Sequence, residues 1–148
     1  MDLPMHIVIK ATFFIFILIA PQTAVAKASS WANGSWGWVR QDPSNENEEF
    51  VDCGLAAMRV DIDLENMRYN TLFSDGVQEH ANILFTEGNF LTLQYDGEKR
   101  LMENGEPHIW TMAFNNKDEF VWVLADWIID GEIKGSTKPL RRCIEATV

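Results

Sequence analysis

Met58-Arg59-Val60-Asp61-Ile62-Asp63-Leu64-Glu65 is the stretch that decides the fold class. Apolar and charged residues alternate without a break, which is the period of a strand with one face buried and one in water; a helix would spread the same residues around its circumference. The pattern continues on both sides of a series of turns. Met67, Tyr69, Thr71 and Phe73 alternate with Arg68 and Asn70, and Ser74-Asp75-Gly76 then turns the chain. Ala81, Ile83 and Phe85 are expected on one face of the next strand, opposite His80, Asn82 and Leu84. Glu87-Gly88-Asn89 leads into Leu91, Leu93 and Tyr95, and Asp96-Gly97 into a short strand around Arg100 to Met102. Asn104-Gly105 is the strongest hairpin signal of the chain. His108 to Phe114 and Glu119 to Ala125 read as two further strands, and Asp130-Gly131 separates Trp127-Ile128-Ile129 from a last segment ending near Cys143. Turns recur every 8 to 12 residues or so, the spacing of an all-β sandwich or barrel. No stretch after residue 26 has a helical period, and the polar, acidic Ser44 to Glu49 reads as a loop. Short hairpin connections predict an antiparallel up-and-down meander, with about eight strands closing into a small barrel; an open meander or small sandwich is the competing architecture.

The N-terminus carries a different signal. Lys10 precedes the apolar run Ala11 to Ala20, Pro21 ends it, and Ala24-Val25-Ala26 follows. A charge, a short apolar block and an A-x-A site in that order predict a secretory signal at residues 1–26, cut after Ala26. The run is about half of the roughly 20 apolar residues that a membrane span needs, so no retained anchor is expected. Residues 27–148 then form a single domain, periplasmic or secreted.

Export implies an oxidising compartment, and the chain's two cysteines, Cys53 and Cys143, are expected to form one disulfide there. They lack the spacing of a metal site. The net charge of −10 is spread along the chain. It favours solubility and argues against nucleic acid and anionic membrane surfaces as partners.

Gly34-Ser35-Trp36 opens the domain, and Arg141-Arg142 stands just before the second cysteine. With the meander pattern, these residues resemble the lipocalin-like small β-barrels. That resemblance implies that Trp36 plugs one end of the barrel, and that Arg141 or Arg142 packs over its indole as a cation–π pair.

Aromatic residues are abundant, and on the strand faces expected to point inward they include Tyr69, Phe73, Phe85, Tyr95, Trp110 and Trp122. These six are the candidate ligand-binding residues, with Thr71 and the tyrosine hydroxyls available to orient a polar group. Filled core and aromatic-lined cavity are both open at this level, because an eight-stranded barrel is just wide enough for either. The favoured register of the strands within 108–125 puts Trp110, Met112, Phe114, Phe120, Trp122 and Leu124 inside. That would leave Ile109, Val121 and Val123 as an outer apolar patch.

Asp61, Asp63 and Glu65 share a strand face but stand about 7 Å apart, too far for one ion, so a solvated outer face is expected. His80 and His108 lack a third metal ligand. No metal, cofactor or catalytic residue is therefore assigned. Asn33-Gly34-Ser35 fits the N-glycosylation pattern in a eukaryote. Two functions remain: a non-enzymatic domain binding a small apolar or aromatic ligand in the barrel, or a protein-interaction module with a filled core.

Overall fold

The structure, a computed structural model, describes residues 27–54 and 57–144. The expected signal segment and its cleavage site lie outside the described residues. A six-residue helix, α1 (Lys27–Ala32), is followed by β1 (Gly34–Asp42), β2 (Asn45–Asp52), β3 (Met58–Asp63), β4 (Arg68–Phe73), β5 (Gln78–Glu87) and β6 (Phe90–Tyr95). Then come β7 (Trp110–Asn116), β8 (Glu119–Leu124), the 3-10 turn Ala125–Trp127, β9 (Ile128–Ile129), β10 (Glu132–Ile133) and β11 (Leu140–Arg142).

Eight of these strands close into an antiparallel up-and-down barrel. β1 pairs with β3, the meander runs from β3 to β8, β8 pairs with β11, and β11 returns to β1. Closure leaves the barrel strands no open edge. The core forms where alternation sends the large side chains inward. Met112 sits opposite Trp122, and Phe114 opposite Phe120, and all four are buried in one cluster with Trp36, Tyr69, Leu91, Leu93 and Leu140. Of the inward set expected on β7 and β8, these four are in the core, Trp110 packs against it half-buried, and Leu124 is buried outside that cluster.

Several local expectations differ from the structure. Asn45–Asp52, expected in part as a loop, is a strand that pairs with the second half of β1. Both of its faces are largely in water. No side chain there has to be hidden, so hydrophobic alternation could not mark it. The Arg100–Met102 segment is reduced to one bridge, Leu101 with Pro107, around the Asn104-Gly105 turn. Phe85, expected inward, points outward: the pairing shifts between Ile83 and Phe85, so Leu84 is an extra residue. Such a bulge reverses the facing of whatever follows it.

α1 closes one end of the barrel. Ala28 and Ala32 are buried in the core cluster, and the Ala28 N–H donates to the Gly88 carbonyl at 3.0 Å, tying the helix to the β5–β6 turn. Trp36 lies fully buried beside it, and its Nε1–H donates to the Ala32 carbonyl at 2.8 Å. A disulfide joins Cys53, just after β2, to Cys143, just after β11.

Candidate functional site

The two ends of the barrel are built differently. At the helix end, the Arg142 guanidinium stands 4.3 Å from the centre of the Trp36 ring. Its nitrogens donate to the carbonyls of Asn33 (2.8 Å), Trp31 (2.7 Å) and Lys117 (2.7 Å), and to Asp118 Oδ1 (3.2 Å). One side chain therefore ties the end of α1 to the β7–β8 turn. Gly34 makes room for it: φ is +124°, and a Cβ there would meet Arg142 Nη1 at 2.5 Å. Asn33, within the glycosylation pattern, accepts the Ile62 N–H at 2.7 Å through its side-chain oxygen. Arg141 instead faces β8 and pairs with Glu119 at 2.6 Å. Its guanidinium and the Asn115 amide hold the Glu119 carboxyl below the ordinary range.

The opposite end is open. Trp38, Tyr95, Trp110 and Trp122 surround a cleft of about 260 Å³, with Glu79, Arg100 and Thr137 completing its lining. The strand residues among them arrive there by the strand's period. Trp38 is two residues past the plug Trp36, on the same face of β1, and Glu79 alternates with Ala81 and Ile83 on β5. Trp122 meets Tyr95 at 6.4 Å and Trp110 at 6.3 Å between ring centres, and Trp110 in turn meets Trp127 at 6.0 Å. Such tilted and edge-on contacts suit the ring quadrupoles. Below the cleft the interior is filled by Tyr69, Phe120 and Trp36, linked through Trp122 and Phe120 by further edge contacts. Trp38 also borders a wider, open basin with Arg40, Phe50 and Lys138.

The polar groups around the mouth are unevenly satisfied. Arg100 lies over Trp110, 5.6 Å from its ring centre, and forks onto Glu98 at 2.7 and 2.6 Å. The Arg100 fork lowers the Glu98 carboxyl to about 2. Glu79 has no ion-pair partner among the described residues. The Tyr69 and Thr71 hydroxyls and Trp110 Nε1 are buried without a hydrogen-bond partner of normal geometry. Burial pushes the Tyr69 hydroxyl up to about 12 and raises that of Tyr95 as well, so both stay neutral and able to donate at ordinary pH.

Of the six candidate ligand-binding residues, Tyr95, Trp110 and Trp122 line the mouth, and Tyr69 lies directly beneath them against Trp122. Phe73 is half-buried against the core and borders a separate groove beside the disulfide. Phe85 is on the outside of the barrel, 53% exposed. Sequence reasoning missed Trp38, Glu79, Arg100 and Thr137. The first two were legible from strand alternation. Arg100 and Thr137 come from long connections whose paths no local pattern records. The two histidines have separate partners: His80 Nδ1 donates to Asn70 Oδ1, and His108 Nε2 to the Leu101 carbonyl. Among the described residues no three His, Cys, Asp or Glu side chains are grouped to hold a metal ion. No described helix is long and apolar enough to cross a membrane.

Comparison of the chain with protein-family models, with curated proteins and with solved structures found no match in any of the three.

Proposed function

We propose that the chain is an exported, non-enzymatic, lipocalin-like binding domain that holds a small, flat, largely apolar ligand in the barrel mouth. The observation that carries this reading is the cleft itself. Three tryptophans and a tyrosine surround open space at one end of a barrel whose remaining interior is packed. Trp122 is buried, whereas Trp38, Tyr95 and Trp110 are only partly so and leave space between them. The cleft is smaller than the roughly 300–1,000 Å³ of typical small-molecule sites. It therefore suits a ligand of one or two rings, or the end of a longer one that continues past Trp38 over the neighbouring basin. The charge pattern favours a neutral or cationic ligand. Arg100 forks onto Glu98, and the Glu79 carboxylate lines the same cleft within the field of Arg100, so two carboxylates stand against one cation. Apolar contact would supply most of the affinity, at about 25 cal/mol per Å² buried before the costs of association.

Tryptophan fluorescence reads this site directly, since three of its walls are indoles. Titrating the mature domain with a panel of small aromatic compounds, aromatic amines and lipids should give a saturable change for at least one class. Trp38→Ala should weaken that response by tenfold or more while leaving the far-ultraviolet spectrum unchanged. Native mass spectra of protein purified from its host should show the retained ligand. An unresponsive panel together with a ligand-free mass would overturn the reading.

A further inference from the structure

A second concave surface lies on the outside of the barrel and shares no residue with the mouth. Its floor is the outer face of β6, β7 and β8, at Thr92, Thr111 and Val123. Those side chains are buried although they point away from the core. The β9–β10 hairpin forms one wall with Ile128, Gly131 and Ile133, and Phe85 and Phe90 form the other. Phe85 stands there because of the β5 bulge, opposite Thr92. The Thr92 and Thr111 hydroxyls hydrogen-bond to each other at 2.8 Å, so the two polar groups of the floor partly satisfy one another, and the rest of the groove's lining is mostly apolar. The groove holds about 200 Å³, below the size of a drug-like pocket but enough for one large side chain.

Its rim is acidic. Glu87 is part of the lining, and Asp130 and Glu132 flank Gly131 on the hairpin turn. Lys134 pairs with Glu132, but Glu87 and Asp130 have no cation partner among the described residues. The net charge of −10 repels a second copy of the chain and an anionic membrane surface alike, and attracts a basic partner. We propose that this groove docks a peptide segment of a partner protein, one that presents a single large apolar side chain flanked by lysine or arginine. The apolar side chain fills the space between Phe85, Phe90, Ile128 and Ile133, and the flanking cations face Glu87 and Asp130.

The test is an NMR titration of the mature, isotope-labelled domain with three short peptides. One carries leucine with two lysines on each side; the others replace the leucine by serine or the lysines by glutamate. The leucine–lysine peptide should give saturable shifts confined to residues 85–92, 111 and 128–133, with at least tenfold weaker binding by both controls. Phe85→Ser should abolish the shifts. Glu87→Gln with Asp130→Asn should weaken binding several-fold and flatten its dependence on salt. Both sites are exposed, and asparagine tolerates the positive φ of Asp130, so these variants should keep the wild-type fold and mouth fluorescence. Equal binding of the glutamate peptide, shifts centred on the mouth, or no saturable shift would each overturn the proposal. So would a concentration-dependent dimer that covers the groove without peptide.

Discussion

A short chain of residues explains how the helix end of the barrel is closed. Trp36 is buried, its indole N–H is satisfied, and one face of its ring carries the Arg142 guanidinium. Trp36→Ala removes a large buried side chain from a packed cluster, so urea denaturation should show a loss of about 3–5 kcal/mol. A variant as stable as wild type would remove the plug from the account. Arg142→Lys separates charge from geometry. An ammonium can still sit over the ring but cannot reach Trp31, Asn33 and Lys117 together. Leaving those carbonyls short of donors should cost about 1–3 kcal/mol. Glu98 gives a second prediction at this scale. Its carboxyl is lowered in the fold from 4.5 to about 2, first by the Arg100 hydrogen bonds. A folded-state value below the unfolded one adds stability that is full above about pH 4.5 and is lost as pH falls towards 2. The Glu98 side chain is 5% exposed but that of Arg100 is 61% exposed, so water screens the pair and the contribution is about 1–2 kcal/mol. Glu98→Gln should therefore be less stable than wild type at neutral pH and should converge on it near pH 2. A constant difference across that window would show that the pair does not act through the carboxylate.

Elements were legible in the sequence wherever one face is buried and the other wet. β7 and β8 are largely buried on both faces, whereas β3 and β4 carry that alternation, and their faces came out as expected. β2 did not, because an exposed edge strand leaves no trace in hydrophobicity. The β5 bulge was hinted at by three consecutive apolar residues, Ile83-Leu84-Phe85, which a strict alternation would not contain. Only the pairing with β6 decides which of the three is the extra one. The same limit applies to the outer patch expected at Val123, Val121 and Ile109. Val123 is fully buried, beside a hairpin whose position depends on the path from Trp127 to Leu140. The disulfide also acts at the scale of elements, joining the chain after β2 to the chain after β11 across a separation of 90 residues. In the chain-entropy model, closing such a loop adds up to about 4.5 kcal/mol. Replacing both cysteines by serine should lower denaturation stability by an amount approaching that figure. A thiol assay on the denatured, unreduced domain should find no free thiol, and two titratable thiols would remove the bridge.

For the whole molecule, the sequence by itself determined the class: an all-β meander of about eight strands, acidic, with one cysteine pair. These follow from period, turn chemistry and composition, which are local or additive properties. The plug was legible only through the resemblance to lipocalin-like barrels that Gly34, Trp36 and the arginine pair carry. Only the tertiary structure decided that the barrel closes through β11 and β1, that its interior is filled at one end and open at the other, and which arginine covers Trp36. It alone also brought Arg100 and Thr137 to the mouth and turned Phe85 outward. The physical reason is common to all of these. Alternation fixes which residues share a face of one strand. The register between strands, set by bulges and by the length and path of connections, fixes which faces meet and where space remains, and a shift of one residue reverses the result.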